Sequence, residues 1–561
     1  MSSLVQLVNL WDNPVFHRFR RSQLRTKKSI FWYLATLIIT TFSVASTYLS
    51  QVNFMDFTAE EAARSQWLTL LVIQGLILLF KGTGQTASGV IQDKIDETLD
   101  YQRLTPVTPL RNVVGYLFGL PVLEYVMFAL TLPHLAFVVI VGNIPIGTVF
   151  SVYLVFLTCT IFYHMTAVTV GLVIKRWIWG YLLSIFSVAF LNMVLPGIAS
   201  QFGLKFLQFL SIVPVVGQKV MPLMAQFGPR PGQFGPPQGQ VAQPVNEASF
   251  LSFDDPVPFF DWTLSPFYFT LLLQSMLIVT LATMAVRRWK KETKHSFSKP
   301  YALGILGVFI LLLIGNLWPV ITGQFLPFAI FGSTNIDELS EILAIALPMV
   351  YSITVWLLCM FLYFNVVPTH HDYVRGIRRA KKLNRKAPLP WDDDSANIPF
   401  MSLFVILSLI GFWVLYGQMM DAGFMSFLAG ADFPHWRLPL GLGLVLLYSL
   451  LLLQVLQYRG VILTVLLVWL LPILVGIVSA AAIEDVTRFQ SVLASLSPLA
   501  TLIMTGMLPM ESIAIANANV NANVDEGFAI LQTGVRSGFL FLIAQIGLLA
   551  YRWRRLRQVL H

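Results

Sequence analysis

Residues 66–110 read "QWLTLLVIQGLILLFKGTGQTASGVIQDKIDETLDYQRLTPVTPL". The first part is apolar and uncharged as far as Phe80. Residues 92–110 then hold four acids and two bases, and a second apolar stretch starts near residue 113. A helix needs about 20 apolar residues to cross roughly 30 Å of hydrocarbon, where every backbone polar group must be bonded within the segment. A compact charged element between two such runs therefore reads as a short connection on one side of a membrane. The rest of the chain repeats the alternation, so the fold class is all-α: a polytopic helical membrane protein.

Composition agrees with that class. Of 561 residues, 56% are apolar and 12% charged, against about 45–50% and about 25% in soluble domains. Twelve candidate spans centre on residues 29–49, 66–81, 113–140, 147–174, 177–196, 266–286, 301–321, 342–366, 400–420, 438–457, 460–483 and 531–551. Pro121 and Pro133 interrupt the third and are expected to kink or split it. With the N-terminus in the cytosol, cytosolic segments carry 30 of the 37 Lys and Arg and the other face carries 7. That positive-inside bias predicts about 12 transmembrane helices, N-in and C-in. It also accounts for the net charge of +9 without a nucleic-acid partner. Residues 1–28 have no apolar core followed by a small-residue cleavage site, so the first span is expected to act as its own insertion signal.

The plan falls into two six-helix halves. Residues 1–28 are expected to hold a cytosolic amphipathic N-terminal helix. The first half covers 29–290, with a cytosolic helix at 85–110 and an external segment at 197–263; the second covers 291–561, with a basic cytosolic loop at 368–399 and an external segment at 484–530. Each half ends in a basic cluster, "MAVRRWKKETKH" (284–295) and "LAYRWRRLRQ" (549–558). Each external segment contains an apolar piece broken by proline, "FGLKFLQFLSIVPVVGQKVMPLM" (202–224) and "FQSVLASLSPLATLIMTGMLPM" (489–510). Both are expected to be half-inserted, which is tolerated only where the piece packs against protein or lines a cavity. "GPRPGQFGPPQGQVAQP" (228–244) and "ANANVNAN" (516–523) read as surface loops.

No bond-making chemistry is legible. "KGTGQTASG" (81–89) has glycines, but its lysine precedes them, and no phosphate loop of the form GxxxxGK[ST] exists. Cys159 and Cys359 lie in apolar runs and read as small buried hydrophobes. His370, His371 and Asp372 are adjacent, and on a helix they point in different directions, so they make a poor metal site. Their loop, residues 369–394, reads as a basic element touching anionic headgroups or a partner. Among ionisable residues within spans, Glu124 and His164 are the candidates for a translocation path, with His134 a softer case. Glu124 is either a proton carrier or a packed carboxyl bonded to a neighbouring span. Gln74, Asn192, Gln274 and Gln454 lie within spans, where single amides more often bond neighbouring helices than line a path.

The charged strip is the most patterned element. Ile91, Ile95 and Leu99 recur at four-residue spacing with Thr98 beside them, and Asp93, Lys94, Asp96, Glu97 and Asp100 fill the remainder. Residues 85–103 therefore read as one short amphipathic helix. Thr108 can cap the next helix and Pro109 can occupy its first turn. One side of the strip helix faces the membrane body and the charged side faces the cytosol, as a docking surface or as a solvated loop helix.

In residue order the strip resembles the coupling region of the ABC type-2 exporter permeases, where a polar helix between the second and third spans enters a cleft of the ATPase subunit. Their pattern is an acidic residue, Gly-Thr-Leu-Glu, then Leu-Thr-Pro and a glycine-containing span. It is matched here by Asp93, Asp96, Glu97, Thr98, Leu99 and Asp100, then Leu104, Thr105 and Pro106, then Gly115 and Gly119. Glu97 stands in place of the glycine, and Tyr116 where a lysine is common. "NPVFHRFRRSQLRTKK" (13–28) is similar to the family's N-terminal surface helix. Phe16 and Phe19 are then expected among the headgroups, with Arg18, Arg20, Arg21 and Arg25 at lipid phosphates or the ATPase.

The resemblance implies the membrane subunit of an ATP-driven exporter in the plasma (inner) membrane of a prokaryote, binding no cofactor itself. ATP and Mg would bind a separate ABC ATPase subunit. The chain would form a 12-span pseudo-dimer or pair with a second permease. The contact would fall on Ile91, Asp93, Ile95, Asp96, Glu97, Thr98, Leu99, Asp100, Leu104, Thr105 and Pro106. Ile95 and Leu99 would anchor the helix, and Asp93, Asp96 and Glu97 would meet bases of the ATPase. The residues alone leave two alternatives: an ion-coupled carrier using Glu124, or a membrane scaffold.

Overall fold

The computed structural model describes residues 10–560 apart from 26, 56, 175, 202–203, 226–256, 291–294, 323–335, 369, 386–387, 396–397, 423–434, 457–460, 483–487 and 509–521. The expected loops at 228–244 and 516–521 lie outside the described residues. Eleven helices among the described residues are long and apolar enough to cross a membrane, which makes this a multi-pass integral membrane protein. The remaining expected span, 460–483, is a run of Val461–Thr464, a π-helical turn Val465–Leu470 and Leu471–Ala482. Its apolar part, Leu466–Ser479, is shorter than a spanning helix. The chain divides into two compact units, Met1–Pro258 with Trp262–Lys294, and Phe259–Asp261 with His295–His561.

In the first unit α1 is Pro14–Leu24 and α2 is Lys27–Phe54. Then α3 (Ala59–Gly75), a π-helical turn (Leu76–Gly82) and α4 (Thr83–Ile95) form one uninterrupted helical rod. The sequence reading ended this span at residue 81, because Lys81 and the glycines after it look like a boundary. The structure corrects that, for the glycines sit inside the helix where neighbouring spans approach closely. After α5 (Thr98–Leu104) come α6 (Pro109–Gly119) and α7 (Val122–Val141), the third span split at Pro121 as its proline requires. The unit continues with α8 (Ile146–Val173), α9 (Trp177–Ala189), the short helices α10 (Leu195–Gln201), α11 (Lys205–Gln208), α12 (Val213–Lys219) and α13 (Met221–Ala225), and finally α14 (Pro266–Lys290).

The core is stacked in three layers along α8. Val149, Val152 and Val155 pack with Trp67, Leu71 and Val138 at one end. Phe156, Cys159 and Tyr163 pack with Leu78, Leu79 and Val188 in the middle. Met165, Val168 and Leu172 pack with Val90, Leu99, Tyr116 and Trp289 at the other end. Val215 and Val220 are buried in the first layer, so the proline-broken piece at 202–224 is packed against protein.

In the second unit α15 (Lys299–Ile321), α16 (Ile336–Phe364), α17 (His370–Lys382), α18 (Ile398–Asp421) and α19 (Arg437–Leu456) precede α20 (Val461–Thr464) and α21 (Leu471–Ala482). The helices α22 (Arg488–Ser495) and α23 (Pro498–Met507) form the second broken piece, and α24 is Ala522–Leu560. The break between α22 and α23 has a local cause. Ser497 caps α23 through Ala500 N with Pro498 in its first turn, and the Ser497 hydroxyl donates to the Trp469 carbonyl at 2.7 Å. Amides and hydroxyls knit the spans: Tyr363 donates to Gln454 at 3.1 Å, and Trp356 to Ser449 at 3.0 Å.

Candidate functional site

The strip is not one helix but an elbow. The rod ends at Ile95, and Glu97 takes a left-handed backbone (φ 57°) before α5 begins at Thr98. For a residue with a Cβ that conformation costs about 1–2 kcal/mol, and glycine adopts it freely. Glu97 occupies the position at which the family pattern has glycine. The break also rotates the apolar positions apart. Ile91 and Leu99 are buried, but Ile95, expected beside them as an anchor, is 54% exposed. Tyr101 and Leu104 are exposed at 72% and 85%. Asp96, Glu97, Asp100 and Pro106 are exposed, and Thr98 and Thr105 partly so.

The charges of the elbow divide by sign. Lys94 Nζ donates to the Leu172 carbonyl at 3.0 Å, and Arg103 Nε to the Trp289 carbonyl at 3.0 Å. Those carbonyls belong to the last turns of α8 and α14, which have no partner within their helices. A cation at such an end is worth about 0.3–1 kcal/mol. The two bases therefore hold the elbow to two spans, Arg103 also pairing with Asp100, while Asp96, Glu97 and Asp100 are exposed.

Asp93 is the acid of the strip that is held by other helices. It is engaged within the chain by Arg18 of α1 and by the Tyr116 hydroxyl of α6, so it does not present its carboxylate to a partner as the sequence reading expected. The Tyr116 ring packs edge-on against Phe19 and against Trp289, each with centroids 5.1 Å apart. Phe19 is thus buried against α6 instead of lying among headgroups, and only Phe16 stays partly open. Asn13 completes the seat. Its side chain accepts from Val15 N at 3.0 Å and Phe16 N at 3.3 Å, and donates to the Arg111 carbonyl at 2.6 Å. Arg20, Arg21 and Arg25 carry no such bond among the described residues, and Arg21 and Arg25 are exposed.

The second polar site lies within the spans. Glu124 is 1% exposed and forms an ion pair with Lys81, whose Nζ lies 4.8 Å from the centre of the Trp32 ring. The other Glu124 oxygen, Oε2, has no hydrogen-bond partner among the described residues. Lys81 belongs to the π-turn, at the level of His164. That residue lies two and a half turns inside Val173, roughly 13 Å at about 1.5 Å per residue. Lys81 is therefore the cation of a buried acid inside the helical rod, and sequence reasoning, which ended the span at residue 81, did not join it to Glu124. The available signal was Glu124 itself, since a buried acid calls for a cation.

The π-turn has a visible cause. His164 Nε2 donates to the Leu78 carbonyl at 3.0 Å while Nδ1 accepts from the Tyr125 hydroxyl at 3.0 Å. In an α-helix the Leu78 carbonyl would accept from Gly82 N, and insertion of a side chain there widens the ladder. A Cβ at Gly82 would lie 2.7 Å from His164 Nε2, so only glycine admits the imidazole. His164 thus reads as a packing residue with both nitrogens satisfied. Gln74 is satisfied too, donating to Thr131 at 2.8 Å and accepting from Tyr153 at 2.6 Å, whereas Asn192 Oδ1 and Gln274 Nε2 have no partner among the described residues. Asn192 donates to Tyr163 at 2.8 Å, and Gln274 accepts from Thr158 at 2.7 Å. His134 bonds Thr41 at 2.8 Å. No cluster that could hold a metal ion occurs among the described residues.

Comparison with protein-family models, with curated proteins and with solved structures finds no match.

Gly82→Ala is expected to cost about 1–3 kcal/mol by overpacking, with much of that recovered in Gly82→Ala/His164→Ala; thermal melts in detergent read both. Lys81→Met leaves the Glu124 carboxylate buried without a cation and should cost about 3–5 kcal/mol, whereas Lys81→Met with Glu124→Met should lose far less. Equal losses in the single and double variants would show that the pair is not coupled.

Proposed function

We propose that this chain is the membrane-spanning permease subunit of an ATP-driven exporter of the ABC type-2 kind, docked on a separate ATPase through the elbow at residues 92–106. The observation that carries the reading is the division of the elbow's charges. Its bases and Asp93 are used to fasten it to α1, α6, α8 and α14, while Asp96, Glu97 and Asp100 lie exposed around Ile95, Tyr101 and Leu104, Asp96 bonded only to the neighbouring Gln92 and Asp100 paired with Arg103 of the same short helix. Exposed apolar side chains ringed by charge on a rigid projection suit a protein contact. A partner pushing there would act directly on the ends of two spans and, through α4, on the π-turn. The chain would have twelve spans with both termini cytosolic, in the prokaryotic inner membrane, and the partner would hold ATP and Mg.

A second reading is favoured by one observation, the unpartnered Glu124 Oε2 beside Lys81. A buried carboxylate with a free oxygen and a titratable neighbour is suited to carrying a proton in an ion-coupled carrier. On that reading Glu124→Gln abolishes transport driven by a pH gradient and no ATPase accompanies the chain.

Purification of the tagged chain in mild detergent with mass spectrometry of the eluate separates the two, the first reading requiring an ATP-binding subunit. Asp96→Ala with Glu97→Ala should reduce recovery of that subunit at least severalfold without lowering the melting temperature of the chain. Glu97→Gly should retain it and be neutral or stabilising, because the left-handed turn is kept. Undiminished recovery with Asp96→Ala/Glu97→Ala would remove the elbow as the contact.

A further inference from the structure

The second unit carries a folded cap of different chemistry. It begins at His370, just after α16 ends at Phe364, and rejoins the spans at Ile398. Its helix α17 buries Ile377 and Ala380, and the Asp394 backbone and Cβ lie directly over Gly376. The cap is pinned to the first turn of α15, where the fully buried Lys299 donates to the Ser395 carbonyl at 3.0 Å and to its hydroxyl. Ser395 in turn donates to the Pro390 carbonyl at 2.8 Å. The acids of the turn are used inside the cap. Asp394 pairs with Arg379 at 2.8 Å, Asp392 accepts from Leu389 N at 3.1 Å, and Asp393 lies within electrostatic reach of His295 and Lys299.

What the cap exposes is therefore cationic. Arg375, Arg378, Lys381, Lys382 and Arg385 are exposed, as is Trp391. Ile377 and Ala380 close the apolar face of α17, and the apolar side chains exposed beside it, Leu383, Leu389 and Trp391, suit the boundary between headgroups and acyl chains. The cap's fixed tether to three spanning helices holds that charge at the membrane surface, where each Lys or Arg near anionic lipid gains about 1 kcal/mol. Tryptophan favours the same headgroup level.

We propose that this cap is a binding surface for anionic phospholipid headgroups, with Arg375, Arg378 and Lys382 as the principal contacts. It tethers the second unit to acidic lipid while the acidic elbow of the first unit remains for a protein. The inference needs only that the chain is embedded in a membrane, and stands whichever transport reading holds.

The test uses the full chain purified in mild detergent and titrated with mixed micelles of phosphatidylglycerol or phosphatidylcholine, with bound lipid counted by native mass spectrometry. Arg375→Gln/Arg378→Gln/Lys382→Gln should weaken phosphatidylglycerol retention by roughly tenfold or more and leave phosphatidylcholine unchanged. Arg379 is kept because it holds Asp394. The charge-conserving Arg375→Lys/Arg378→Lys/Lys382→Arg should retain wild-type preference. Unchanged phosphatidylglycerol retention in the glutamine variant would overturn the proposal, as would equal loss in both variants, which would point to a folding effect. Unchanged retention together with loss of a copurifying acidic protein would overturn it in favour of a protein contact.

Discussion

Two hydrogen bonds, from Lys94 to the Leu172 carbonyl and from Arg103 to the Trp289 carbonyl, determine how the charged elbow relates to the membrane body. The last turn of any spanning helix leaves carbonyls unbonded, and at the edge of hydrocarbon they need donors more than they would in water. Supplying those donors from the element between two other spans makes the elbow part of the bundle. It also leaves Asp96, Glu97 and Asp100 exposed, Asp100 still paired with Arg103. Asp93 is held by a separate demand, that of Arg18 and Tyr116, which seats α1 against α6.

The same rod that ends at the elbow contains the π-turn. Its widened ladder is kept open by His164, and Lys81 on the same turn is fixed by Glu124. Polar groups within the first unit are thus arranged on one continuous helix, from Gln74 through Lys81 to Asp93. The hydrocarbon solvent explains why each is paired across to another span: an unmet donor or charge there is costly. Movement of the elbow cannot leave these contacts undisturbed, because no loop or hinge residue intervenes between Gly82 and Ile95.

Much of this was legible in the sequence, and the failures share a cause. Length and hydropathy located most of the spans, and Thr108 with Pro109 located the start of α6, because each rests on local backbone rules; of the two prolines expected to kink or split the third span, Pro121 splits it and Pro133 stays inside Val122–Val141. What local rules could not give was the end of α4. Gly82, Gly84 and Gly89 follow directly on the apolar run that was ended at residue 81, yet His164, Tyr181 and Leu120 press against them inside one continuous rod. Ending the span at residue 81 hid Lys81 as the partner of Glu124. It also made residues 85–103 look like one helix, so Ile95 was placed on the wrong side and Asp93 was left for a partner. The positive φ at Glu97 is a tertiary choice that a glutamate does not announce. In the second unit residues 369–394 read only as a basic element, and only the fold shows that its Asp392–Asp394 run answers Arg379 and Lys299.

The central claim, that the elbow is where an ATP-binding partner presses, is most directly tested by placing a photo-crosslinking residue at Leu104, the most exposed apolar position of the elbow, and identifying the adduct from intact cells by mass spectrometry. The account predicts a single prominent adduct with an ATP-binding subunit, lost when the probe is moved to the buried Leu99. Crosslinking to no ATP-binding protein, with the chain correctly inserted, would contradict it.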